Sequence, residues 1–132
     1  MPSIRRPLIA ASLAALVTIF IAFVLPRDVA LDFLGVILGV TAGVYLGFAI
    51  HDGRRREVGI EVIGLAIFST LAVLGIEGRP GMLAAGFLLH IAWDFAHHPR
   101  GVQTKIVPWY PPACLVYDGL VGAFLVWLWW RR

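Results

Sequence analysis

The sequence predicts an all-α, polytopic integral membrane protein, with five transmembrane helices in one domain covering residues 1–132. Three observations predict it. Of the residues, 60 % are hydrophobic and the mean hydropathy is +0.86, whereas soluble domains are nearer half apolar. Only 14 % are charged, too few to cover a water-soluble domain of this size. The apolar residues also fall in five runs, each long and apolar enough to cross a bilayer core of about 30 Å. The same figures exclude a disordered chain, which needs low hydrophobicity and high net charge. A single cysteine excludes an internal disulfide framework. A net charge of +3 carried by scattered basic residues leaves no footprint for nucleic acid, so none is expected as a partner.

The first helix is expected at about residues 8–25, closed by Pro26-Arg27-Asp28. Arg5 and Arg6 before it resemble the start of a signal peptide, but the apolar run is too long and no small-x-small site follows, so it is retained. The second is expected at 30–50, before His51, Asp52, Gly53 and the basic run Arg54–Arg56. The third is expected at 58–76, before Glu77-Gly78-Arg79-Pro80, and the fourth at 82–98. A segment with four prolines, Pro99 to Pro112, leads to the fifth at 113–130. With the N-terminus inside, Arg5, Arg6, Arg54, Arg55, Arg56, Arg100 and Lys105 are cytoplasmic. Arg27, Arg79, Arg131 and Arg132 are then outside, so the positive-inside rule favours N-in, C-out. Trp109 and Tyr110 at one end of the last helix, and Trp127, Trp129 and Trp130 at the other, fit the two aromatic belts.

The second helix carries Gly35, Gly39, Gly43 and Gly47 at four-residue spacing, a bare stripe of the kind that lets helices approach closely in lipid. Packing within the chain, against Ala11 and Ala15 of the first helix, is one reading. A homo-oligomer interface is the other.

Charged groups inside membrane helices cost about 3 kcal/mol each and are functional suspects. The fourth helix reads Leu88-Leu89-His90-Ile91-Ala92-Trp93-Asp94-Phe95-Ala96-His97-His98. At 100° per residue from His90, Asp94 falls at about 40°, His97 at about −20° and His98 at about 80°, all on one face. Histidine and carboxylate one turn apart can converge on one metal ion. His90 and His98 are about 12 Å apart along the axis, so a single ion takes one adjacent pair and leaves the rest to support it. Glu61, near the start of the third helix, and Cys114 and Asp118, one turn apart near the start of the fifth, lie at the same membrane depth when helix direction alternates. His51 and Asp52 share that side and read as a solvated loop with the arginine run. Glu61 also fits a snorkelling or helix-dipole role, and His97 and His98 fit the headgroup interface.

The stretch Leu88-Leu89-His90-x-x-Trp93-Asp94-x-x-His97-His98, followed by a proline-containing loop and Cys114-x-x-x-Asp118, resembles a family of small bacterial multi-pass membrane proteins of unknown function. It is the domain-of-unknown-function family numbered six thousand and ten. The likeness spans roughly residues 39–122. It implies a bacterial inner or plasma membrane and supports His90, Trp93, Asp94, His97, His98, Cys114 and Asp118 as one motif. It implies no activity.

Three functions are open to these residues. One is a metal site of His90, Asp94, His98 and Asp118 for zinc, iron or manganese, supported by His97, Trp93 and Cys114. Asp94 or Glu61 is then the catalytic carboxylate for metal-activated water acting on a lipid-like substrate. The second is a metal-free His–Asp isomerase or cyclase of a lipophilic molecule, with Trp93 and Tyr117 facing a cationic intermediate. The third is proton or small-ion transport through His90 and Asp94, or an accessory role in the bilayer.

Overall fold

The computed structural model describes residues 3–97 and 102–130, and among the described residues all regular structure is helical. Five helices follow in order: α1 Arg5–Val24, α2 Arg27–Asp52, α3 Arg55–Ile76, α4 Pro80–Ala96 and α5 Tyr110–Trp130. Each begins about three residues earlier than the apolar runs suggest. The reason is local chemistry. Arg5, Arg27 and Arg55 extend the helices into the interface, where a long cationic side chain reaches water. Pro80 opens α4, and Pro111 and Pro112 sit in the first turn of α5, where the missing N–H has no helical partner to lose. Prolines expected to separate helices therefore start them. Gly53 closes α2 in the left-handed region, at φ 81°, with its N–H donating to the Ala49 carbonyl.

Four helices are long and apolar enough to cross a membrane: α1, α2, α3 and Tyr110–Leu128 of α5. α4, expected at 82–98, is a shorter apolar helix of 17 residues at Pro80–Ala96, about 25 Å long.

α2 packs most closely on α3, α4 on α5, and α1 on α5, with little between α1 and α2. Leu34, Leu38, Phe68, Leu83, Phe87 and Val121 form the core. Leu13, Phe20 and Phe23 of α1 face outward, as suits a helix bathed in lipid. The glycine stripe does not pack as expected against α1. Only Gly35 is tight, where an added Cβ would lie 2.6 Å from Ile76 Cδ1 of α3; at Gly39, Gly43 and Gly47 it would meet nothing within 4 Å. Close approach depends on other glycines. A Cβ at Gly64 would stand 2.5 Å from the Trp93 ring, and one at Gly75 would stand 2.6 Å from Leu83 Cβ. These two contacts set α4 against α3.

Candidate metal centre

Alternating helix direction brings the end of α2, the start of α3, the end of α4 and the start of α5 to one end of the bundle. There, in the described residues, lie His90, Asp94, Asp118, Cys114, Glu61 and His97, all buried. Depth matching across helices is therefore correct.

His90, Asp94, Cys114 and Asp118 each offer a ligand atom within 4.8 Å of the others. One helical turn separates His90 from Asp94 on α4 and Cys114 from Asp118 on α5, so each helix presents a pair on the face turned to the other. His90 Nδ1 and Asp118 Oδ2 are hydrogen-bonded at 2.6 Å. Nδ1 stands 3.6 Å from Asp94 Oδ1 and 3.9 Å from Cys114 Sγ, and the thiol donates to Asp118 Oδ2 at 3.5 Å. The Tyr45 hydroxyl of α2 donates to Asp94 Oδ1 at 2.5 Å. Phe68 meets the His90 ring edge to face at 4.7 Å and closes the apolar side.

Glu61 and His97 form a separate pair beside this cluster. His97 Nδ1–H donates to the Trp93 carbonyl at 2.7 Å, which leaves Nε2 to face Glu61 Oε1 at 2.6 Å. With Nδ1–H committed to the backbone carbonyl, the imidazole meets the Glu61 carboxyl through Nε2 alone. The Thr104 hydroxyl donates to the same oxygen at 2.9 Å. Tyr45 lies between the two histidines, its ring centroid 4.3 Å from that of His97 and 5.6 Å from that of His90. Above the pair, Arg54 donates to Asp52 at 2.6 Å and to the Gln103 carbonyl, and the Lys105 N–H donates to Asp52 at 3.3 Å. The hydrogen bond to Asp52 raises the pKa of the Arg54 guanidinium above its ordinary value, so this tether stays charged.

A tetrahedral ion with bonds of about 2.0–2.3 Å holds its ligand atoms about 3.3–3.8 Å apart. The separations of 3.5 and 3.6 Å fall within that spacing and 3.9 Å lies just beyond it, but the 2.6 Å between His90 and Asp118 does not fit. Spare ligand atoms meet the difference. Asp118 Oδ1, Asp94 Oδ2 and His90 Nε2 are buried without a hydrogen-bond partner among the described residues, and rotation of either carboxylate offers an oxygen already stripped of water. Asp94, Asp118 and Glu61 are buried within apolar helices, where a charged group costs up to about 3 kcal/mol. A purely structural bundle of leucines would avoid that cost.

Of the residues expected as ligands, His90, Asp94 and Asp118 come together; Cys114, expected to support them, lies among them; and His98 lies outside the described residues. His97 turns to Glu61 on α3 instead of lining the His90 face, and Trp93 packs over Gly64 and His97. Tyr117 bonds Thr18 of α1 at 2.7 Å, which ties it to the α1 side. His51 is exposed. Tyr45 and Thr104 are site residues that sequence reasoning missed. A tyrosine seven residues before the end of a long apolar helix was the available signal for the first. Nothing periodic marked the second.

One family profile, described as a family of unknown function (DUF6010), matches residues 6–130. No curated protein and no solved structure matches the chain.

Proposed function

Since the chain belongs to the family of unknown function DUF6010, whose description assigns no activity, we propose from its own geometry that it is a membrane-embedded metalloprotein acting on a lipophilic substrate. The observation that carries this reading is the four-residue donor set of His90, Asp94, Cys114 and Asp118, buried and mutually within 4.8 Å. One imidazole, two carboxylates and a thiol suit zinc or iron; the thiol argues against manganese, which prefers oxygen. Tyr45 orients Asp94 as an outer partner orients a metal ligand. When bound, such an ion supplies an acidic water or a polarised carbonyl. The Glu61–His97 pair is then the adjacent proton acceptor, because Glu61 Oε2 is buried and unpaired among the described residues. Five crossings, with α4 as a short one and the site end cytoplasmic, complete this reading, in keeping with the Arg and Lys distribution.

Elemental analysis of the purified protein beside Asp94→Ala and Asp118→Ala tests it. The expected result is close to one zinc or iron per chain in the wild type and loss in both variants. Absence of stoichiometric metal after reconstitution with either ion overturns it. The 2.6 Å His90–Asp118 contact favours a second reading in that event, a metal-free acid–base pair working on the same class of substrate.

A further inference from the structure

A cleft of about 580 Å³ runs between the first half of α1 and the start of α5, within the usual range of small-molecule pockets, ~300–1,000 Å³. Ala10, Ala11 and Ala14 form one wall; their small side chains leave the room that Leu or Phe would fill. Cys114 lines the cleft and is also a member of the donor set, so the cleft abuts the candidate metal centre. Arg6 is the only charged residue in the lining, and among the described residues no carboxylate pairs with it. Trp109, 48 % exposed, stands at the same end, where an indole belongs at the headgroup level. A bilayer component that enters sideways therefore meets a guanidinium first, an apolar trough next and Cys114 at the inner wall.

We propose that this cleft is the lateral entry and binding site for an anionic phospholipid, with its phosphate at Arg6 and one acyl chain laid along Ala10–Ala14 toward Cys114. Arginine suits that head group because its planar fork pairs phosphate bidentately. The inference rests on the proposed function for its chemistry but not for its binding. It narrows the lipophilic substrate to one with a negative head and names the side from which it arrives.

The test places the full chain in phosphatidylcholine vesicles doped with phosphatidylglycerol or phosphatidylcholine carrying a photoactivatable acyl chain, followed by peptide mapping and metal analysis of the same samples. Labelling of Ala10–Ala14 and the Trp109–Cys114 segment is expected to favour the anionic probe about fivefold, the ratio a single basic residue at the membrane surface supplies. Arg6→Gln should bring the two probes level, and Ala11→Phe should suppress both here while leaving metal content unchanged. Equal labelling by both head groups, or labelling spread evenly over the lipid-facing helices, overturns the proposal. Selective labelling in a metal-free protein defeats the metal reading alone; a metal-loaded protein without selective labelling defeats the lipid site alone.

Discussion

The two histidine–carboxylate pairs at the site end share a 2.6 Å contact and near-complete burial, yet they differ in what surrounds them. His90 and Asp118 have Asp94 and Cys114 within ligand distance, whereas His97 and Glu61 are closed in by Thr104 and the Trp93 carbonyl. On the proposed reading, the pair ringed by further donor atoms takes a cation. The pair met only by a hydroxyl and a backbone carbonyl, with Glu61 Oε2 left unpaired among the described residues, exchanges a proton. The number of converging donors, not the identity of the pair, separates the two roles.

The largest expected effect breaks the comparison at that point. Asp118→Asn should lower metal affinity by about 100-fold or more, past the 10–100-fold typical of outer-shell changes, while Glu61→Gln leaves metal content unchanged. Equal loss in both variants, read by elemental analysis, would merge the two pairs into one site. Next is Tyr45→Phe, which deprives Asp94 of its donor without touching a ligand atom. Metal affinity measured by competition with a chelator should fall about 10–100-fold. Acidification should weaken binding in every variant that still binds, because protons compete for the imidazole, thiol and carboxylates.

Gly64→Ala probes the packing of α4 on α3 beside the Glu61–His97 pair. The new methyl would strike the Trp93 ring, whose backbone carbonyl fixes His97, so thermal unfolding in detergent should show a loss of about 1–3 kcal/mol with metal retained. The smallest effect is expected at Gly43→Ala, where the added carbon meets nothing. Stability should be unchanged or rise by up to about 1 kcal/mol, the ordinary gain of alanine over glycine in a helix. A fall in stability, or a change in oligomeric state on cross-linking, would show that this face packs against another chain.

Much of this arrangement was legible in the sequence. Hydropathy located all five helices because lipid permits few alternatives to long apolar runs. One-turn spacing put His90 with Asp94 and Cys114 with Asp118, since helical geometry is local. What needed the neighbouring helices was not legible. His97 shares the angular sector of His90, yet it ends α4 and is captured by Glu61 of α3, a contact 36 residues away. Tyr45 carries too little polarity to stand out in an apolar helix. Thr104 sits in a segment without periodicity, so only the fold reveals that it reaches a buried carboxylate. The glycine stripe shows the converse: a strong pattern whose members at 39, 43 and 47 do no packing within the chain.

The shortness of α4 has a consequence for where the site lies. A helix of about 25 Å falls several ångströms short of a core of about 30 Å, and a bilayer accommodates such a mismatch by thinning around it. Asp94 stands two residues before the last residue of α4, and His97 caps it. The cluster is thus deep within the protein yet close to one end of the helix bundle. On the proposed five-crossing reading, protons and ions would have a short distance to travel from the water while hydrocarbon stays in contact along the flank. Few positions in a bilayer offer both phases to the same few side chains.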